Sequence, residues 1–307
     1  MPSYPGAEQR HSGRATPHYV ASTPRRAKPV PAVRGPPPDR RWHRLCDSRD
    51  APMRIAILSD IHANSDALAA VLADIARRDV SATVQLGDVV GYNTRPRETL
   101  ALLREHRIPG VRGNHDLMAI GRLPADQCGP VGRKAMAWTR KVLTEADRDY
   151  LASLPDELRL EGGILCTHSA LGDPCVRLHA RSQFEEETKV LLHFDGDLRV
   201  CCTGHTHLQQ VVEVAAGGVE RRPAAPELQL DPAAFCFVNP GSVGQPRDGD
   251  ERAAYAVFDS DTYQASFHRV AYDARRITRE NARRGIRIGP RAPGRQSLMS
   301  RLFSGVP

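Results

Sequence analysis

The chain has 307 residues, a formal net charge of +7 and 40% hydrophobic side chains, enough for one large α/β domain with appendages or two small domains. It contains no run of about 18 apolar residues, which excludes a membrane-spanning helix, and its amino terminus lacks a signal peptide's apolar core. Seven cysteines, an odd number without metal-site spacing, fit a reducing, cytoplasmic compartment better than a disulfide framework.

The charge is concentrated at the ends. Residues 1–52 hold ten Lys/Arg against four Asp/Glu, and residues 275–307 hold nine Arg against one Glu, leaving 24 basic against 31 acidic side chains between them. The first segment also has ten prolines, including Pro36-Pro37-Pro38. With almost no apolar periodicity it cannot bury enough surface to offset chain entropy, and it reads as a disordered basic extension. Proline density argues against a transit peptide. Nucleic-acid binding is disfavoured, because no aromatic platform or docking helix accompanies the charge. Met53, immediately before the first predicted strand, offers an alternative start. A catalytic domain is expected over 53–274, followed by a basic C-terminal helix and tail over 275–307.

From Arg54 to Ser59 an apolar run predicts a strand, after which Ala67, Leu68, Val71, Leu72 and Ile75 repeat at helical spacing with Asn64 or Ser65 available as a cap. Thr83 to Leu86 predicts a second strand ending at Gly87-Asp88, and Pro96 opens a helix to Glu105. Ile108 to Val111 is short but strand-like and leads into Arg112-Gly113-Asn114-His115-Asp116. Helices are expected over 131–142 and 145–153, with Pro155 stopping the second. Gly163 to Thr167 is a strand ending at His168, a helix follows near 182–193, and Leu198 to Cys202 is a strand opening into Gly204-His205-Thr206-His207. Cys166, Cys201 and Cys202 lie in these strands as small buried hydrophobes. Gln209 to Val214 and Ala234 to Val238 read as paired strands separated by a Gly-, Pro- and Ala-rich loop, and Ala254 to Asp259 with Ala265 to Val270 as a hairpin. A last helix within 268–288 would use Ile277, Ala282 and Ile286. Strands clustered late in the chain predict a second sheet packed on the first, giving an α/β two-sheet sandwich with flanking helices.

Each polar cluster follows an apolar strand, and loops at strand carboxyl ends converge on one crevice in α/β folds. Asp60, His62, Asp88, Asn114, His168, His205 and His207 can therefore meet in space. Their nitrogen and oxygen donors suit Mn, Fe, Zn, Ni or Co rather than Ca. Seven donors exceed what one tetrahedral ion needs, so two divalent ions sharing a carboxylate are expected, with Asp88 as the bridge. Such a pair clamps phosphoryl oxygens for in-line displacement. Arg112 offers a fork of donors to phosphate or, equally, to a carboxylate that pins its loop. Asn93 and Arg133 are weaker substrate-contact candidates.

The motifs Asp60-x-His62, Gly87-Asp88, Gly113-Asn114-His115-Asp116, His168 and Gly204-His205-Thr206-His207 resemble the calcineurin-like metallophosphoesterase superfamily. Gly87-Asp88-Val89-Val90-Gly91-Tyr92 and Asn239-Pro240-Gly241-Ser242-Val243-Gly244-Gln245-Pro246-Arg247 resemble its small prokaryotic phosphodiesterase branch, over about 54–273. The resemblance implies Asp60, His62, Asp88 and His207 at a first metal and Asp88, Asn114, His168 and His205 at a second. It places His115 beside the leaving group, oriented by an acidic neighbour, and makes Asn239 to Gln245 a pocket wall. Gly172 stands where relatives commonly carry arginine. The implied activity is hydrolysis of phosphodiesters or phosphomonoesters of small or nucleotide-like substrates by a metal-activated hydroxide, with manganese favoured. Protein serine/threonine or dinucleoside-polyphosphate phosphatase activity and a non-catalytic scaffold are the alternatives. Relatives often pair through the sheet region, which makes a homo-oligomer one expectation, although the sequence itself does not give the oligomeric state.

Overall fold

Alternation along Arg54–Leu58 (β1) sends Ile55 and Ile57 to one side and Ala56 and Leu58 to the other, and all four are buried. A strand apolar on both faces needs cover on both, and that requirement sets the layering. The computed structural model describes residues 53–288; the extension expected over 1–52 and the tail beyond 288 lie outside the described residues.

After β1 come α1 (Ser65–Ile75), β2 (Ala82–Gln85), α2 (Pro96–Glu105) and α3 (Asn114–Ala119). A 3-10 turn at Ala125–Gln127 leads to α4 (Pro130–Val142) and α5 (Glu145–Ser153), then β3 (Glu157–Leu160), β4 (Ile164–Thr167), α6 (Arg181–Phe194) and β5 (Val200–Cys202). The chain continues through β6 (Gln209–Ala215), β7 (Gly218–Pro223), β8 (Leu228–Gln229), β9 (Phe235–Pro240), β10 (Ala253–Asp259), β11 (Gln264–Val270) and α7 (Arg275–Arg283). Two mixed sheets result, ordered β2-β1-β10-β11-β8 and β3-β4-β5-β9-β6-β7. Between them Ile55, Ile57, Val84, Ile164, Val200, Val238 and Phe258 form the central core. On the outer face of the first sheet, Ala56 and Leu58 meet Leu68, Val71 and Leu72 of α1 and Leu100 and Leu103 of α2. Outside the second, Leu165, Cys201 and Phe237 pack on Phe184 and Leu191 of α6. Each fully buried Leu or Phe contributes about 1.5–3 kcal/mol.

Helix boundaries follow their sequence signals. Asn64 caps α1, its side chain accepting from the Ala67 amide at 3.2 Å, and Pro96 occupies the first turn of α2. Four expectations need correction. The late strands do not form a sheet of their own: β10 and β11 join β1 antiparallel, whereas β6 and β9 join the parallel pair β4–β5. The strand expected over Ile108–Val111 reduces to a bridge between Gly110 and Gln85. There the Gln85 side chain supplies part of the pairing, donating to Val111 O at 2.9 Å and accepting from the Gly87 amide at 2.6 Å. β3 and β7 are additional edge strands, and their charged, half-exposed sequences carry a weak apolar signal. Finally, residue 274 does not end the packed unit. Ile277 and Ile286 are buried, and Glu280 of α7 grips Arg95 with contacts of 2.7 and 2.5 Å.

Candidate metal centre

The polar clusters emerge at the carboxyl ends of β1, β2, β4 and β5, with Asn114 opening α3. To turn inward there, Asp60, His62, Asp88, His205 and His207 adopt left-handed backbone angles, φ between 49° and 64°. Non-glycine residues in that region cost of order 1–3 kcal/mol each, so surrounding structure must over-determine them. It does: the Asp60 amide donates to Gly87 O at 3.1 Å, the His62 amide to Asp88 O at 2.8 Å and the Ala63 amide to Val89 O at 2.8 Å. Gly87, at φ +88°, admits no side chain, since a Cβ would fall 2.4 Å from the Gly113 nitrogen.

The side chains converge in two groups. In one, His207 Nε2 lies 3.1 Å from Asp60 Oδ1 and 3.1 Å from His62 Nε2. In the other, His168 Nε2 lies 3.1 Å from Asn114 Oδ1 and 3.2 Å from His205 Nδ1. Asp88 stands between them, with Oδ2 3.7 Å from His62 Nε2 and Oδ1 3.5 Å from His168 Nε2.

The donor chemistry fits cations. His62, His168 and His207 each face a main-chain carbonyl through Nδ1, from Val90 at 3.3 Å, Leu86 at 2.7 Å and Gln245 at 2.6 Å. Carbonyls only accept, so each Nδ1 carries the proton and each Nε2 presents a lone pair. Lone pairs of His62 and His207 then point at each other and at a carboxylate oxygen, an arrangement only a positive charge stabilises. Asp60 Oδ1 and His205 Nε2 are buried without a hydrogen-bond partner among the described residues. Asp60 Oδ2, by contrast, accepts from Ser59 Oγ at 2.7 Å and the His205 amide at 2.9 Å.

Electrostatics agree with this crowding of acceptors. Burial pushes the Asp88 carboxyl up to about 8, with the charges of Asp60 and Asp116 adding to it against His168. Asp60 is held well below its usual value; burial opposes this, but His207, His168 and His62 prevail. Burial, aided by His207, depresses His62 well below the imidazole range. His168 is raised, because Asp88 and Asp60 outweigh its burial.

His115 shares a cluster with His62 and Asp88, and its ring stacks near Tyr92 at 4.7 Å and His62 at 4.9 Å. Burial, with His207, pushes it down to about 3. The acidic neighbour expected to orient it does something else. Asp116 accepts from the Gly113 amide at 2.8 Å and the Val90 amide at 3.1 Å, while His115 Nδ1 has no hydrogen-bond partner among the described residues. Arg112 is bidentate to Asp156 at 2.6 and 2.8 Å and donates to Ala152 O, so it pins its loop rather than facing the centre. Asn93 is likewise turned inward as a strut, donating to His62 O at 2.8 Å and accepting from Asn281 at 2.7 Å. Arg133 donates to Cys128 O at 2.6 Å. Sequence reading missed Ser59, Ser242 and Gln245 as supports. Ser242 Oγ donates to Asp60 O at 2.7 Å; the adjacency of Ser59 to Asp60 and the expected pocket wall over Asn239 to Gln245 were the usable signals. The segment Asn239 to Gln245 does lie against the centre, through Ser242 and Gln245.

Comparison with known proteins adds a lineage to this geometry. The family model for the calcineurin-like phosphoesterase superfamily domain matches residues 53–263. An uncharacterized protein of Methanocaldococcus jannaschii is 34% identical over 229 residues, 72% of this chain and 89% of its own length. The crystal structure of a metallophosphoesterase from Sphaerobacter thermophilus superposes with a TM-score of 0.64 at 36% identity, covering 83% of this chain and all of that one. A hypothetical protein of Pyrococcus horikoshii, at 19% identity, shares the fold with a TM-score of 0.61 over 76% of this chain and 94% of its own.

Proposed function

Since the chain belongs to the calcineurin-like phosphoesterase superfamily and is a metal-dependent phosphoesterase, we propose that it hydrolyses phosphodiesters or phosphomonoesters of small or nucleotide-like compounds at a dinuclear centre. One observation carries the dinuclear reading: the two oxygens of Asp88 address separate groups, His62 on one side and His168 on the other. Asp60, His62, Asp88 and His207 would hold one ion, and Asp88, Asn114, His168 and His205 the second. Bound divalent ions, manganese in this proposal, supply Lewis acidity that acidifies a water and polarises a phosphoryl oxygen.

The chain's own side chains do the rest. Main-chain carbonyls fix the imidazole tautomers, so the lone pairs are presented without reorganisation. The left-handed loops hold the donors rigidly. In this reading His115, which clusters with Asp88 and His62, would give a hydrogen bond to the leaving oxygen. No described helix is long and apolar enough to cross a membrane, and free thiols at Cys128, Cys166, Cys175, Cys201, Cys202 and Cys236 support a site of action in the cytoplasm.

The test is hydrolysis of bis-p-nitrophenyl phosphate with and without added Mn, repeated with Asp88→Asn. Stimulation by the metal and a loss of about 10²-fold or more in the variant are expected. Turnover indifferent to both would overturn the proposal. A screen of cyclic nucleotides, phosphomonoesters, phosphopeptides and dinucleoside polyphosphates then separates the substrate classes.

A further inference from the structure

An imidazole that aims a hydrogen bond at a leaving oxygen needs something to fix its plane, and in most sites a carboxylate or carbonyl on the other ring nitrogen does so. His115 has neither. Among the described residues its Nδ1 is without a hydrogen-bond partner, Asp116 is committed to the Gly113 and Val90 amides, and Nε2 bonds only to the Cys128 thiol, a weak donor, at 3.9 Å. Its orientation therefore comes from packing. The Tyr92 ring lies 4.7 Å from that of His115, inclined by 34°, and 4.7 Å from that of His62, inclined by 87°, so a single ring braces both imidazoles. Gly91 permits the approach, since a Cβ there would fall 2.5 Å from His115 Nδ1 and 3.2 Å from its Cγ.

The backbone is bent to deliver this ring. Directly after Gly91 at φ 91°, Tyr92 takes φ 51°, a left-handed angle that a bulky aromatic residue keeps only where its surroundings enforce it. The loop is tied down accordingly. The Asn93 amide donates to His62 O at 3.2 Å and Gly91 O at 2.7 Å, and the Arg95 amide donates to Ala63 O at 3.2 Å. A Cβ on Gly132 of α4 would stand 3.5 Å from Tyr92 Cε1, and the Arg247 guanidinium carbon lies 5.8 Å from the ring centroid. All of these side-chain contacts are made by the ring rather than by the hydroxyl. Resting on the phosphoesterase reading above, we propose that Tyr92 is a positioning residue whose ring sets the plane of His115 and, through it, the hydrogen bond given to the leaving oxygen. A poor leaving group needs that bond most, whereas p-nitrophenolate, which spreads its charge onto the nitro group, needs it least.

The test is a series of bis-aryl phosphates, with leaving phenols graded from p-nitrophenol to phenol, hydrolysed by the full-length, Mn-loaded protein. Tyr92→Leu keeps apolar bulk without the ring. It should lower kcat for the poorest leaving group that the unsubstituted protein turns over at least about tenfold more than for p-nitrophenol, with KM moved by less than about twofold. Tyr92→Phe, which restores the ring, should bring each kcat back to within about threefold of the unsubstituted value. In a His115→Ala background Tyr92→Leu should cost less than about twofold further, because residues that act as a unit are not additive. Equal losses for every leaving group, or an undiminished cost in the His115→Ala background, would defeat the proposal. A readout independent of turnover is the His115 ring resonance in the full-length, Zn-loaded and so diamagnetic protein. The Tyr92 ring current should displace it, Tyr92→Phe should keep the displacement and Tyr92→Leu should abolish it; a resonance unmoved in the leucine variant would equally defeat the idea. Melting curves verify folding, and Tyr92→Met reads the same contrast if the leucine variant proves unstable. Failure of the phosphoesterase reading is visible separately, as absence of Mn-stimulated hydrolysis of bis-p-nitrophenyl phosphate, while the resonance still reports the packing.

Discussion

Asp60 divides its carboxylate between two tasks: Oδ2 is held by Ser59 and the His205 amide, while Oδ1 has no hydrogen bond among the described residues and faces His207. Ser59→Ala removes the side-chain half of that hold, and metal affinity should fall about 10- to 100-fold with stability changed by only about 1 kcal/mol. Competition with a calibrated chelator measures the first and urea unfolding the second. Gly204→Ala is harsher, because its Cβ would fall 1.9 Å from Ser59 Oγ and 2.8 Å from Asp60 Oδ2. Metal emission analysis of the purified variant should find a depleted centre, and a full complement would contradict this account. At this scale most of the converging residues were legible as short polar clusters ending apolar strands, whereas Asn114 follows only a bridge and opens α3. The duties of Arg112 and Asn93 were not. Their partners Asp156 and Asn281 stand 44 and 188 residues away, beyond the reach of any local pattern.

α5 shows how far an element can be read and tuned. Thr144 accepts from the Asp147 amide at 3.2 Å while Asp147 accepts from the Thr144 amide at 3.1 Å, a reciprocal cap. Thr144→Ala should cost about 1 kcal/mol in urea unfolding. Burial works against ionising Asp147, yet hydrogen bonds from Thr144 and Arg104 hold it below its ordinary 3.8. A depressed carboxyl stabilises the fold above the unfolded value and ceases to as pH drops through the folded one. The gap in urea midpoint between the unsubstituted protein and Asp147→Asn should therefore be widest near neutrality and close as pH falls below 3.8. Helices such as this one were visible because apolar spacing and punctuating Pro155 agree. β3 and β7 escaped notice because edge strands with charged faces bury too little to leave a periodic trace. The partition of strands between sheets was equally hidden, since apolar alternation records that a strand is covered and not by which neighbour.

Across the whole molecule, α7 closes the structure over the loop that follows β2. Arg95, 7% exposed at its side chain, pairs with Asp66 at 2.9 Å and Glu280 at 2.5 Å, and Asn281 joins Asn93 to the His62 carbonyl. Arg95→Ala should lower stability by about 1.5–3 kcal/mol, the worth of a charge-assisted hydrogen bond, and speed amide exchange in α7; unaltered exchange there would rule out the clamp. Metal acts at the same scale, since an ion bound only by the folded form stabilises it by about 2.7 kcal/mol at a free concentration one hundred times its Kd. Calorimetric melting before and after chelation should show that shift. The pairing of β1 with β10 also imposes an order on the protein's birth. β1 leaves the ribosome about 200 residues before its antiparallel partner, a delay of about 10–40 s at ordinary synthesis speeds. Within that interval Asp60 waits 145 residues for the His205 amide and 182 for the Ser242 hydroxyl that position it, and Asn93 waits 188 for Asn281. A growing chain therefore offers passing ions isolated side chains, and discrimination among metals is deferred to the finished protein.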